Sequence, residues 1–145
     1  MYLMIGSRSD IAFAVGKLAR FCETPKTKHW TAVKRVLRYV NGTSSMGLCY
    51  NGLLDGKVIG LETIDRKSVF GYGDSDWAGD HADRKSTSTY VFMMAGSAIT
   101  WCSKKQTIVA LSSCEAEYVA MCMTCKEAIW LKRLLSNTKV NTDLS

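Results

Sequence analysis

At Gly47 the hydrophobic rhythm of this 145-residue chain changes, and that change limits what it can fold into. Before it, apolar residues recur with the helical period. "SDIAFAVGKLARFC" places Ile11, Ala14, Val15, Leu18 and Cys22 near one face, with Ser9 as the expected N-cap. "TKHWTAVKRVLRYVNG" does the same with Trp30, Val33, Leu37 and Val40; Thr27 is the expected N-cap and Gly42 the expected left-handed stop. Pro25 lies in the connection between them. After Gly47 come short β-rich runs. "GLCYNG" and "DGKVIGLET" are weak strand candidates, and "KSVFGYG" is a firmer one. "STYVFMMAG" and "SAITWCS", parted by Gly96-Ser97, read as an antiparallel hairpin, and "TIVALS" as one more short strand. A long helical pattern then runs through "SCEAEYVAMCMTCKEAIWLKRLLSN", with Tyr118, Met121, Cys122, Cys125 and Ile129 on the arc expected to cover the sheet. Strands followed by a covering helix imply an α/β class of the mixed α+β kind. The expected division is a helical segment over 1–46 and a sheet-and-helix domain over 47–145, with a polar tail "TKVNTDLS".

Charge is distributed as unevenly as period. Residues 1–41 hold eight basic groups against two acidic ones, whereas the remainder holds eleven of each sign, so the net +6 belongs to the N-terminal segment. Lys34, Arg35 and Arg38 lie largely off the apolar stripe of the second helix, where a polyanion is the natural partner. No stretch reaches the apolar length of a bilayer span, and "MYLMIGSRSD" does not read as a signal peptide. The six cysteines are therefore expected as free thiols, mostly in the core. Cys122 and Cys125 make one CxxC, but zinc needs four ligands and no second pair is present.

Against this basic background, "GYGDSDWAGDHADRKST" sets Asp74, Asp76, Asp80 and Asp83 within ten positions. Asp74 ends an apolar run, where a strand would hold it rigidly enough to bind metal. Asp76, two residues on, is either a turn former or an accessory ligand. Asp80 and Asp83 read as turn residues, with Arg84 the expected ion-pair partner. In the last helix, Ser112 and Glu115 fit a capping box, which leaves Glu117 without a structural task. Asp74 and Glu117 can converge if that helix packs over the first strand, and two hard carboxylates suit Mg²⁺ or Mn²⁺. A surface glutamate near a helix start is the plainer alternative.

Long strings in this chain resemble a known family. "GYGDSDWAGDHADRKSTSTYVF", "ITWCSKKQTIVALSSCEAEYVA" and "EAIWLKRLL" resemble the ribonuclease H region of copia-type retrotransposon Pol polyproteins. "YLMIGSRSDIAFAV" and "HWTAVKRVLRYVNGTSSMGLCY" look like the segment that joins reverse transcriptase to it. The resemblance implies a ribonuclease H-like sheet with antiparallel first strands, truncated after its first helix. It implies divalent-metal-dependent hydrolysis of the RNA strand of RNA–DNA hybrids, at a two-metal site where Asp74 and Glu117 are catalytic carboxylates and Glu115 is the alternative to Glu117. Lys104 and Lys105 become candidates for nucleic-acid contact, as do Lys34, Arg35 and Arg38. The implied partners are the hybrid and the rest of the Pol polyprotein, with no membrane, and the implied locations are cytoplasmic particles and the nucleus. The sequence departs from the pattern at Ser9, where proline is usual, and at Thr89, where glycine is usual. The family's later carboxylates have no counterpart beyond Asp143, which no apolar strand precedes, so the chain alone is expected to cleave slowly or not at all. A non-catalytic nucleic-acid-binding or structural remnant is the other reading.

Overall fold

A computed structural model describes residues 2–50 and 68–138, and the chain divides into two compact units, Met1–Leu48 and Cys49–Ser145. The candidate strand "DGKVIGLET", the tail and Asp143 lie outside the described residues.

The first unit is helical. Its elements are α1 (Tyr2–Gly6), a 3₁₀ turn (Ser9–Ile11), α2 (Ala12–Ala19) and α3 (Thr27–Gly42). Four local details differ from the sequence reading. Ser9 lies inside the 3₁₀ turn instead of capping a helix, and α2 stops at Ala19, short of Cys22. Lys26, not Thr27, is the N-cap of α3, because the His29 ring turns back and its Nδ1 accepts the Lys26 amide at 3.1 Å. The same ring stacks on Phe21 at 4.1 Å. At the other end Gly42 stays helical, and the chain leaves through Thr43, whose N–H reaches the Tyr39 and Val40 carbonyls. The expected apolar stripe of α3 buries little, since Trp30 and Leu37 are both more than half exposed. What fixes α3 to the turn before α2 is polar. Arg8, 5% exposed, forks onto Asp10 at 2.7–3.2 Å and reaches the Thr43 hydroxyl and carbonyl, while the Tyr39 hydroxyl donates to Asp10. That web holds the Asp10 carboxyl at about 2, chiefly through the Arg8 hydrogen bonds, and raises Arg8 and Tyr39 in turn.

The second unit is a mixed α+β layer, as the change of period implies. Its antiparallel sheet has the order β1 (Phe70–Ser75), β2 (Thr87–Met94), β3 (Ser97–Lys105), and α4 (Ser113–Asn137) packs on it. The hairpin turns at Ala95-Gly96, one residue earlier than expected. Both have positive φ, 52° and 83°, the mirror-image turn that matches strand twist and that Gly96 adopts without steric cost. "TIVALS" is not a strand: it crosses as an irregular connection with Ile108, Val109 and Leu111 exposed, and its Ala110 carbonyl accepts the Trp77 indole N–H.

The largest difference concerns α4. The bulky arc expected against the sheet faces solvent instead: Tyr118, Met121 and Ile129 are all more than half exposed, and Cys122 and Cys125 are exposed too. Ala116, Ala120 and Leu131 are the buried residues, with Ala128 and Leu135 packed nearby. The reason lies in the strands beneath. β1 offers Gly71 and Gly73, and β2 offers Ser88, with Ser86 just before it; both serines are 2% exposed or less. A helix meets such a floor closely only through small side chains. The larger core, Val69, Phe92 and Leu131, sits at the far end of α4. All six cysteines are free, but Cys102 is half-buried and the other five are exposed instead of lying in the core; the inversion of α4 accounts for Cys122 and Cys125.

Candidate functional site

The course of α4 over β1 follows from three contacts. Leu131 packs with Val69, just before β1. Gly73 abuts Thr124 so closely that a Cβ there would overlap the threonine hydroxyl. Ala116 is tied, through Gln106, to Ser88, which lies opposite Ser75 in the ladder. The helix therefore runs antiparallel to β1, and its first turns lie beside the C-terminal end of that strand.

Both carboxylates are at that end. Asp74 is exposed one residue past Gly73 and pairs across the ladder with Thr89. Its Oδ1 accepts the Ser75 amide at 2.8 Å, and the Thr89 hydroxyl donates to its main-chain carbonyl at 3.3 Å. Thr89 thus sits within β2 beside Asp74. Glu117 is exposed and seven residues before Thr124, which places it about 20° from Thr124 around the helix and about 10 Å nearer the N-terminus. It projects from the flank of α4 that faces β1. Glu115 lies on another side and is occupied, because its Oε2 accepts the Leu111 amide at 2.6 Å while its own amide donates to the Ser112 hydroxyl. Ser112 is the N-cap as expected; the glutamate reaches one residue further back than a standard capping box requires.

The remaining aspartates form a closed loop. Asp76 exchanges main-chain contact with Thr87, and its Oδ1 accepts the Thr87 amide at 2.6 Å. Its other oxygen crowds Gly79, which has no room for a side chain. This carboxylate holds the loop shut. The buried Ser86 hydroxyl accepts the amide of Ala78, a residue at φ 54°. Asp80 and Asp83 both pair with Lys105 at 2.7 Å, so β3 supplies a cation to this loop that the sequence reading, which looked to Arg84, did not expect. Lys105 depresses the Asp83 carboxyl and is itself raised by both acids. It is consequently engaged, whereas Lys104 beside it is exposed. Lys34, Arg35 and Arg38 are exposed on α3 in the first unit, where the charge pattern places them.

One residue of consequence escaped the sequence reading. Gln106, 6% exposed, follows the two lysines in "SKKQT" and looks there like an ordinary polar turn. No periodicity marks a single buried glutamine, yet its amide joins strand to helix.

A divalent ion fits this end of the sheet in part. Asp74 and Glu117 are hard oxygen donors, exposed and free of lysine or arginine ion pairs among the described residues. No group of three His, Cys, Asp or Glu side chains gathers there or elsewhere among the described residues. Two donors suit an ion that keeps most of its waters and takes further oxygens from a phosphate.

Comparison with known proteins decides the lineage. The chain is 47% identical over 135 residues to the "Retrovirus-related Pol polyprotein from transposon TNT 1-94" of Nicotiana tabacum, across 93% of its own length. It is 38% identical over 130 residues to the corresponding polyprotein from transposon RE2 of Arabidopsis thaliana. It is also 44% identical over 139 residues to the "Secreted RxLR effector protein 161" of Plasmopara viticola, of which it covers 90%. The chain is homologous to retrovirus-related Pol polyproteins of plant transposons. It corresponds to a short piece of those polyproteins, 9% of the tobacco one and 8% of RE2. No family model matches it, and no solved structure matches it significantly. Among the described residues, no helix is long and apolar enough to cross a membrane.

Proposed function

We propose that this chain is the ribonuclease H-like portion of a transposon Pol protein, together with the segment that precedes it, and that its chemistry is metal-dependent hydrolysis of the RNA strand of an RNA–DNA hybrid. The reading is supported by the likeness to transposon Pol polyproteins, together with an exposed Asp74 at the end of β1 and an exposed Glu117 in the first turns of α4. Asp74 and Glu117 would hold Mg²⁺ or Mn²⁺ by one carboxylate each. When bound, such ions supply positive charge at the scissile phosphate and acidify a coordinated water. The protein's share is to fix the two carboxylates on rigid elements, Asp74 by its strand and Glu117 by its capped helix. Lys104 is placed to meet the nucleic-acid backbone, which positions a duplex without reading its sequence. Lys105 is engaged by Asp80 and Asp83.

The test is cleavage of a labelled RNA–DNA hybrid by the full chain in Mn²⁺, alongside Asp74→Asn and Glu117→Gln. Metal-dependent cutting that falls at least 100-fold in each variant supports the site. Cutting that survives both substitutions removes it. A second reading, binding without cleavage, is favoured by the exposed Lys34, Arg35 and Arg38 on α3. It expects hybrid affinity that falls steeply with salt and no hydrolysis in any metal.

A further inference from the structure

A hydrogen-bonded bridge runs from Ala116, the residue before Glu117, to Ser88, which lies opposite Ser75, the residue after Asp74. Asp74 is followed by Ser75, which lies directly opposite Ser88 in the ladder. Gln106 Nε2 donates at 2.9 Å to the Ser88 hydroxyl and at 2.9 Å to the Ala116 carbonyl, and Ala116 is followed by Glu117. Gln106 is itself anchored, because its main-chain N–H donates at 2.8 Å to the Ser86 carbonyl. Ser86, Ser88 and Ala116 are buried to 2% exposure or less.

We infer that Gln106 is the positioning residue of the carboxylate pair, setting the height and rotation of the first turns of α4 so that Glu117 faces the end of β1. This rests on the reading of Asp74 and Glu117 as metal ligands. Apolar packing cannot do this work at that end. The core of Val69, Phe92 and Leu131 grips α4 near residue 131, about 22 Å along the axis from Ala116. The buried residues at the near end, Ala116 and Ala120, are small and leave a helix free to slide or roll. Two directed hydrogen bonds from a buried amide remove both freedoms. A leucine would fill the same space without direction. The polarity is also not a casual one, since Gln106 Oε1 and the Ser75 hydroxyl are both buried with no protein partner.

The experiment is Mn²⁺ titration of the ¹⁵N-labelled full chain, followed by paramagnetic broadening of amide signals. It needs no catalysis and reads each carboxylate separately. In the wild type the amides next to Asp74 and Glu117 are expected to broaden together. In Gln106→Leu, broadening near Glu117 should fall several-fold while that near Asp74 persists. Ser88→Ala, which leaves the Ala116 bond in place, should show a smaller loss and covers the case in which the leucine variant does not fold. Ser86→Ala is the control for a general loss of stability, because its hydroxyl serves the 76–87 loop and not α4. Unchanged broadening at Glu117 in Gln106→Leu, or an equal loss in Ser86→Ala, overturns the role given to Gln106 and leaves the metal reading intact. Absence of broadening at both carboxylates in the wild type removes the metal reading and this inference with it.

Discussion

Gly73 and Thr124 touch, and nothing larger than hydrogen fits between them. The contact sets how near α4 approaches β1, and therefore where the helix carries Glu117. Gly73→Ala forces the threonine hydroxyl aside or lifts the helix. Overpacking of this kind costs about 1–3 kcal/mol. Chemical denaturation should show that loss, and Thr124→Ala in the same chain should restore part of it by removing the nearest atoms.

The buried face of α4 is made of small residues, so substitutions there and on the solvent face should behave oppositely. Ala120 is 1% exposed over the sheet, whereas Tyr118 is 66% exposed. Ala120→Leu should destabilise by about 1–3 kcal/mol. Tyr118→Ser should stay within about 0.5 kcal/mol, as surface changes usually do. Equal losses for the two variants, read from urea midpoints, would reverse this assignment of faces.

The α+β class, the hairpin and the long last helix were legible because a change of hydrophobic period is a strong local signal. Ser112 as a cap, and hence Glu117 as the uncommitted glutamate, was legible for the same reason. The orientation of α4 was not. Its heaviest residues, Tyr118, Met121 and Ile129, form a convincing arc, and only the glycines and serines of the facing strands turn the alanine side inward. Those strands lie 20 or more residues away in sequence, beyond the reach of a helical pattern. The pairing of Lys105 was not legible either. Nothing in "SKKQT" separates the lysine that binds Asp80 and Asp83 from the one that stays free; strand alternation and the return of the 76–87 loop do so.

Acid should loosen the first unit through Asp10. Its carboxyl titrates at about 2 in the folded chain against an ordinary 3.8, chiefly because Arg8 hydrogen-bonds it. A lowered folded value stabilises above the unfolded one, so the contribution is complete above about pH 4 and fades as pH falls toward 2. Asp10→Asn should abolish that part of the acid sensitivity. It should also lower stability near neutrality, because Arg8 loses its charged partner. Thermal unfolding followed by helical circular dichroism across pH 2–7 checks both.

Lys104 and Lys105 are neighbours with different tasks, and hybrid binding should tell them apart. Lys104 is exposed, so Lys104→Ala should weaken hybrid affinity across all sequences and lower the salt dependence by about one counterion. Lys105 ties Asp80 and Asp83 to β3, so Lys105→Met leaves two neighbouring acids without their shared cation. Their repulsion should open the 76–87 loop, seen as faster amide exchange at Asp80 and Arg84, whose main-chain N–H groups now bond across it. Because Lys105 lowers the Asp83 carboxyl, the pair stabilises the loop above the ordinary aspartate range and releases it as pH falls below that range. In Lys105→Met that acid-driven release should disappear, since the loop is already open at neutral pH. A wild-type exchange pattern in this variant, or a larger loss of hybrid affinity than in Lys104→Ala, would return Lys105 to the nucleic-acid surface.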